Sequence, residues 1–356
     1  MAKLRAGIIG LGKTGIKQLH ALSLMHDVEI AAITTSDPEK WKKLSERYEI
    51  SSCYSDYRDM LRTADLDVVH DCTPNYLHYE IDKAIINEGK HILSEKPLAL
   101  FPSEAKELVS LARQKNVKTA VNFIYRHFPV IEQIRKYILD GKLGRIFSIH
   151  GAYLQDWLLE NTDYDWRVES KFSGQSRALA DIGSHWFDIA QFLIMSQITE
   201  IAADFATFIP ERIEQKHGLS VAVDTEDYAG ILFRMENGIH GTVTVCQTCA
   251  GKHEGLSFEI NGSEASMRWS YSDPFHAVLM KTGRPDTVIT AKQDQYTGND
   301  APGQFAQNWL IADFYQSILG NTNHIYADFS DGYATTCIIE AALKSMQSRA
   351  WTTVLR

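Results

Sequence analysis

The sequence predicts an α/β protein in two parts: a doubly wound parallel sheet over residues 1–125, then an α+β domain over residues 126–356 with a mostly antiparallel sheet. Three observations carry that expectation. A glycine-rich turn, Gly10-Leu11-Gly12-Lys13-Thr14-Gly15, stands between a short apolar run and a helical pattern. Apolar runs and helical patterns then alternate to about residue 125, with short connections. Beyond Pro129 the rhythm changes to strand-like runs separated by Asn-Gly turns.

The first run, Leu4–Ile9, is short, mostly apolar and ends at glycine, as a buried parallel strand does. Ile16, Leu19, His20 and Leu22 then follow at helical spacing in Ile16–Met25. Strand, glycine turn and helix in this order form the context in which G-x-G-x-x-G binds a dinucleotide. Gly10 permits the tight turn, Gly12 lets backbone approach a pyrophosphate, and Gly15 lets the helix sit close to the strand. Lys13 and Thr14 lie at the helix N-terminus, where N–H groups and a partial positive charge attract phosphates. The first domain therefore reads as a Rossmann domain. Its other strands fall at Val28–Thr34, Asp67–Asp71, His91–Leu93 and Val117–Phe123. Its other helices fall at Pro38–Tyr48, Tyr57–Arg62, Tyr76–Glu88 and Pro102–Lys115.

The second part opens with a helix, Pro129–Leu139, that stops at Asp140-Gly141. Strands follow at Ile146–Gln155, Ile198–Phe208, Tyr228–Met235, Ile239–Val245, Leu256–Ile260 and Ala265–Trp269. Glu236-Asn237-Gly238 and Asn261-Gly262 carry the Asn-Gly signal of primed hairpin turns. Gly283–Gly303 is polar and reads as a surface excursion. Helices near Gly303–Leu319 and Tyr333–Ser348 close the chain.

Bulk properties exclude several classes. The 356 residues are 44% hydrophobic, enough to bury two cores. A formal net charge of −9 argues against a nucleic-acid binder, which needs a basic face. No run approaches the roughly 20 apolar residues of a membrane span. The first strand starts too early to leave room for a signal peptide. The 5 cysteines are scattered and odd in number, so no disulfide framework is expected and the location reads as cytoplasmic. Cys246 and Cys249 have C-x-x-C spacing but no second pair, so they read as ordinary strand residues and no metal is expected.

The tip of the second strand, Ala32-Ile33-Thr34-Thr35-Ser36-Asp37-Pro38, bears on cofactor choice. An NAD site places an acidic residue about 20 positions past the glycines. That position falls on Thr35, and Asp37 before Pro38 reads as a helix N-cap. Thr35 and Ser36 can donate to a 2′-phosphate with no carboxylate to repel it. NADP is therefore expected to be preferred, with NAD as the alternative.

Two constellations carry chemistry. Cys72-Thr73-Pro74-Asn75 and Ser94-Glu95-Lys96-Pro97 follow parallel strands at their carboxyl ends, where ligands of open sheets collect. Lys96, extended before a proline, projects its ammonium there. Farther on, Asp181 and His185 are four residues apart and share a helix face, with Ile182, Trp186, Ile189 and Leu193 forming a buried stripe opposite. A carboxylate beside an imidazole suits proton transfer near neutral pH.

Taken together, Gly10–Gly15, Thr73-Pro74-Asn75 with His78, Glu95-Lys96-Pro97, Tyr125-Arg126 and Asp181-Ile182-Gly183-Ser184-His185 resemble the glucose–fructose oxidoreductase/inositol dehydrogenase (Gfo/Idh/MocA) family along essentially the whole chain. The resemblance implies a C-terminal α/β domain whose large sheet makes homodimers or homotetramers. It implies Lys96, Asp181 and His185 as the catalytic set. It places Thr73, Pro74, Asn75, His78 and Glu95 with Lys96 at the cofactor. The stretch Tyr153-Leu154-Gln155-Asp156-Trp157, with Trp166-Arg167, is similar to members acting on sugars, including the levoglucosan dehydrogenase-like group. Substrate contacts are accordingly expected from Arg126, Tyr153, Gln155, Trp157, Trp166, Arg167, Asp181 and His185. Two further departures stand out: Ile124 replaces a frequent Asn, and Arg177, where many members carry a small residue, is expected to reshape the pocket.

The expected activity is hydride transfer between a secondary alcohol of a sugar or cyclitol and nicotinamide. His185 is the expected proton-transfer group, Lys96 the group stabilising charge on the substrate oxygen, and Asp181 the orienting carboxylate. Two rivals remain at this point: a non-catalytic NADP-sensing regulator with a protein partner, and an NAD-dependent glycosidase-type relative.

Overall fold

The computed structural model describes residues 3–253, 255–291 and 300–356. The chain begins with β1 (Leu4–Ile9), α1 (Lys13–Ser23), β2 (Val28–Thr34), α2 (Pro38–Tyr48), β3 (Ser52–Tyr54) and α3 (Tyr57–Thr63). It continues through β4 (Val68–Asp71), α4 (Asn75–Asn87), β5 (His91–Ser94), α5 (Pro102–Lys115) and β6 (Thr119–Val121). These six strands form one parallel sheet in the order β3-β2-β1-β4-β5-β6. That is the dinucleotide-binding order, with the reversal falling beside β1. Strand residues alternate between two cores. Ile8, Ile33, Val68 and Leu93 enter one, while Ile9, Ala32, Val69 and Ile92 enter the other. The sequence reading found five of these strands. It missed β3 because Ser52-Cys53-Tyr54 is an edge segment of three half-buried residues with no apolar run.

The second part starts with α6 (Pro129–Leu139), β7 (Ile146–Leu154), α7 (Ser170–Ser173) and α8 (Ser184–Ile194). It continues through β8 (Ile198–Ala206), β9 (Glu211–Glu214), β10 (Leu219–Ala222), β11 (Tyr228–Met235) and β12 (His240–Cys246). Then come β13 (Gly255–Gly262), β14 (Ser266–Ser270), β15 (His276–Met280) and β16 (Thr287–Thr290). Nine strands, counting a final β17 (Thr352–Thr353), order as β16-β15-β14-β13-β7-β12-β11-β8-β17. The sheet is antiparallel except where β12 runs parallel to β7. Along β11, Ala229, Ile231, Phe233 and Met235 are buried while Leu232 and Arg234 are exposed, so one face is covered. Trp186 of α8 meets Phe233 edge-on at 5.8 Å on that face. Asn237-Gly238 makes the β11–β12 hairpin, with Gly238 at φ +80°. Asn261 instead still pairs with Ser266, so the β13–β14 turn lies over residues 262–265. Strands β9, β10, β15 and β16 were not anticipated, being only four or five residues long. Strand β16 lies within the polar stretch expected as a surface excursion, of which residues 292–299 lie outside the described residues.

The last helices are α9 (Pro302–Ile318) and α10 (Phe329–Ser348). Where the sequence reading divides the chain once, near residue 125, contacts group residues 1–127 with 300–333, and 128–299 with 334–356. The physical reason is apolar. Leu310, Ile311, Phe314 and Tyr315 of α9 complete the core that holds Ile8, Leu19 and Leu22. Ala327 also pairs with Val121 at the end of β6.

Candidate active site

In the first unit the glycine turn is built by close backbone approach. Gly10 has φ +86°, and a Cβ there would lie 2.7 Å from the Cys72 carbonyl group. A Cβ on Gly15 would lie 2.1 Å from the Gly10 oxygen, which is why α1 needs glycine at that turn. Gly12 is different: nothing lies within 4 Å of the Cβ position, so the space above it is open. Gly12 caps α1, which starts at Lys13 rather than at Ile16. An open glycine at a helix N-terminus is a cradle that fits a pyrophosphate. Lys13 is exposed and Thr14 half-buried beside it.

At the β2 tip, the Thr35 hydroxyl oxygen accepts the Asp37 N–H at 3.2 Å, and Ser36 is exposed. The Asp37 carboxylate accepts from the N–H groups of Glu39 and Lys40 at 3.0 and 3.1 Å, so it is turned to its own helix. The Lys40 ammonium donates to the Leu11 carbonyl inside the glycine turn. No sequence signal marked Lys40, which reads as one more lysine on an amphipathic helix.

The two loops after β4 and β5 are tied together. Asp71 accepts from the Thr73 N–H at 2.9 Å and the Thr73 hydroxyl at 2.7 Å. Pro74 caps α4, and Asn75 is buried in its first turn. The His78 ring nitrogens lie 2.8 Å from the carbonyls of Thr73 and Pro97, bridging the two loops. Glu95 is buried, and one of its oxygens accepts from Gln18 at 2.7 Å and Asn122 at 2.6 Å. Burial pushes the Glu95 carboxyl up, against the pull of Lys96 and the Asn122 amide. Lys96 follows, half-buried, before a cis bond to Pro97. Arg126, expected at the substrate, pairs with Asp331 at 3.2 Å and donates to the Ile325 carbonyl at 3.4 Å.

The second unit holds Asp181 and His185. Residues Leu179–Gly183 form a π-helix that passes into α8 at Ser184, so the regular α-turn expected between the two residues is widened. The expected stripe of Ile182, Trp186, Ile189 and Leu193 is buried, and Phe187 and Ala190 are buried beside it, so the covered face is wider than one stripe. Asp181 accepts from the Gln247 amide at 2.8 Å and lies 3.5 Å from the Arg167 guanidinium. Arg167 in turn pairs with Asp165 at 3.0 Å and covers the Trp166 ring at 4.3 Å. His185 is 8% exposed, and its ring lies 6.4 Å from that of buried Tyr153. Trp157 donates to Gln155 at 2.8 Å and packs with Leu158, Val168, Val223 and Tyr164.

Arg177 corrects the sequence reading. It lines no pocket. It is 1% exposed and pairs with Asp227, which also holds Arg212 at 3.2 Å. Glu226 accepts the N–H groups of Arg177 and Leu179, at 3.0 and 2.9 Å, and the Ser176 hydroxyl at 2.8 Å. This buried cluster fixes the entry to the π-helix. Glu226, Asp227 and Gln247 were missed because they lie 47, 50 and 66 residues from Leu179, Arg177 and Asp181, the groups they hold around the π-helix.

Comparison with known proteins agrees with this geometry. Residues 4–123 match the model of the GFO/IDH/MocA oxidoreductase family, NAD-binding Rossmann fold, and residues 131–268 match the GFO/IDH/MocA C-terminal domain. Levoglucosan dehydrogenase of Pseudarthrobacter phenanthrenivorans is 30% identical, with 99% of each chain covered. Glucose-6-phosphate 3-dehydrogenase of Bacillus subtilis is 25% identical, with 94% of each chain covered. The solved structure of levoglucosan dehydrogenase with NADH and L-sorbose superposes with a TM-score of 0.92 at 28% identity, covering 99% of each chain.

Proposed function

The chain belongs to the GFO/IDH/MocA oxidoreductase family, and from that premise we propose that it oxidises a secondary hydroxyl of a pyranose sugar or cyclitol. The observation that carries the reading is the open Gly12 cradle in a chain that also holds Lys96, Asp181 and His185. Gly10, Gly12, Lys13, Thr14 and Gly15 would hold the pyrophosphate, and Thr73, Pro74, Asn75, His78 and Glu95 would shape the nicotinamide end. When bound, the dinucleotide supplies a hydride acceptor. His185 takes the hydroxyl proton of the substrate. Lys96 stabilises the negative charge that develops on the same oxygen. Asp181, held by Gln247 and Arg167, orients the substrate and the proton-transfer group. Tyr153, Gln155, Trp157, Trp166, Arg167 and Arg126 complete the proposed substrate contacts.

Two of these relatives are named for the oxidation of levoglucosan and of glucose 6-phosphate, which supports a pyranose as substrate class. NAD is the cofactor expected from the family, and Thr35 and Ser36 keep NADP in the proposal, since the Asp37 carboxylate is engaged in capping. A homodimer or homotetramer through the nine-stranded sheet and a cytoplasmic location belong to the same reading.

The test is a panel of levoglucosan, glucose, glucosides and inositols with each cofactor, read at the reduced-nicotinamide band. Turnover of a ring alcohol supports the proposal; no turnover with any member overturns it. His185→Ala is expected to retain cofactor binding and lose about 10²–10⁴ in turnover. Unchanged turnover would remove His185 from its role.

A further inference from the structure

We propose that Tyr315, His70 and Gln18 form a one-way chain of hydrogen bonds that ends on Glu95 and positions Lys96. The proposal rests on the oxidoreductase reading above. The four residues come from four separate elements: α9, β4, α1 and the end of β5. All four are buried. The Tyr315 hydroxyl lies 3.0 Å from His70 Nε2, His70 Nδ1 lies 2.6 Å from Gln18 Oε1, and Gln18 Nε2 lies 2.7 Å from Glu95 Oε1.

The direction of the chain follows from its last member. A carboxylate only accepts hydrogen bonds, so the Gln18 amide must turn its nitrogen to Glu95. Its carbonyl then faces His70 and needs a donor. Burial pushes His70 down to about 3, so the ring is neutral and carries a single proton. That proton belongs on Nδ1, facing Gln18. The Nε2 lone pair is left to accept the Tyr315 hydroxyl. Every link is satisfied in this direction.

Each dipole in the chain points its positive end toward Glu95, and aligned bonds strengthen one another. A second arm meets the same carboxylate oxygen. Asn122 donates to Glu95 at 2.6 Å and is itself locked in a reciprocal amide pair with Gln307 of α9, at 2.9 and 2.7 Å. Both arms favour the anion where burial favours the neutral acid. The result is a carboxyl group held in one place, one residue before Lys96. It narrows the positions open to the ammonium and holds the loop that carries it. In this account α9 packs back on the first unit for more than its apolar face: it supplies the two polar groups, on Tyr315 and Gln307, that terminate the arms.

The first test needs no variant. Nitrogen-15 spectra of the histidine-labelled protein, with His70 assigned by loss of its signals in His70→Gln, are expected to show the Nδ1–H tautomer at neutral pH. The Nε2–H tautomer would reverse the chain and overturn the proposal. The second test is a double-mutant cycle on turnover of the best substrate in the sugar panel. Tyr315→Phe keeps the ring and removes the donor. It is expected to lower kcat about two- to tenfold, the range one neutral hydrogen bond supplies, with KM and cofactor affinity unchanged. In a Glu95→Gln background the same substitution should have almost no effect on kcat. An equal factor in both backgrounds would make Tyr315 a packing residue only. Inactivity of the wild-type chain on the whole panel counts against the oxidoreductase reading, whereas the wrong tautomer counts against the relay alone.

Discussion

Replacing Gly12 and Gly15 one at a time with alanine separates a cost to the fold from a cost to cofactor binding. At Gly12 the backbone has φ −70° and ψ −167°, which alanine adopts without strain. A Cβ there meets nothing within 4 Å. Alanine is a poorer N-cap than glycine, by somewhat under about 1 kcal/mol. Against this, the unfolded chain loses freedom, which stabilises the variant by about 0.4–1 kcal/mol. The two terms nearly cancel, and the melting temperature of Gly12→Ala should stay within about 2 °C of wild type. Cofactor affinity should not. A methyl group in the space the pyrophosphate needs should weaken binding at least about tenfold, or 1.4 kcal/mol. At Gly15 the balance is reversed. Alanine gains about 1 kcal/mol of helix propensity, but its Cβ would stand 2.1 Å from the Gly10 oxygen. Ordinary contact begins at 3.4 Å, so backbone must move by more than an ångström. Gly10 cannot recede, because it is pressed against the Cys72 backbone. Overpacking of this kind costs about 1–3 kcal/mol, more where only backbone can yield. Gly15→Ala should therefore melt several degrees lower before any cofactor is added. The assay is thermal unfolding with and without cofactor, together with a fluorescence titration with NADH. Wild-type affinity in Gly12→Ala would refute the cradle. A wild-type melting temperature in Gly15→Ala would refute the steric account.

Asp37→Ala should cost about 1 kcal/mol of stability by removing the α2 cap, while the ratio of NAD to NADP affinity stays constant; a change of that ratio beyond about threefold would show that Asp37 also contacts the cofactor. Asp227→Asn leaves Arg177 and Arg212 buried without their counter-charge and should destabilise the second unit by about 3–5 kcal/mol. Denaturant unfolding followed by fluorescence checks this, and an unchanged midpoint would contradict it. Burial, with Asp71 alongside, pushes Asp82 well above the usual carboxylate range. Its carboxyl keeps its proton to higher pH in the fold than in the unfolded chain, so stability falls as pH rises from the unfolded value of 3.8 toward the folded one. Asp82→Asn abolishes that slope. Its melting temperature relative to wild type should rise as pH is raised above the unfolded value, and a constant difference would sink the account.

What the sequence discloses and what it hides divide along a physical line. The glycine turn, the Asp37 cap and the Asn237-Gly238 hairpin are legible because each is decided by backbone constraints within a few residues. The strand alternation of the first unit is legible because buried parallel strands must be apolar on both faces. Strand β3 escapes because an edge segment of Ser52-Cys53-Tyr54 needs no such pattern. The π-helix at Leu179–Gly183 escapes for another reason. The spacing of Asp181 and His185 is compatible with either helix, and what selects the wider turn lies elsewhere in the chain, in the segment that carries Glu226 and Asp227. The same applies to charge. Arg177 reads as a pocket residue until Asp227, 50 positions later, is seen to neutralise it.

Glu95 is the sharpest case. Its neighbours in sequence, Ser94 and Lys96, are enough to place it at the end of a strand beside a candidate catalytic lysine. They say nothing of how a carboxylate survives burial there. That depends on Gln18, 77 residues before it, on Asn122, 27 after it, and through them on α9. A periodicity argument assigns α9 to the nearer domain, because hydrophobic spacing reports that a helix is amphipathic and not which core it enters. The polar residues Gln307 and Tyr315 carry the missing information. A buried amide and a buried hydroxyl on an otherwise apolar helix face require partners. In this chain the first unit supplies them, at Asn122 and His70. Buried polar groups on late helices are therefore the features from which a discontinuous unit of this kind can be anticipated, where apolar patterning alone divides the chain too simply.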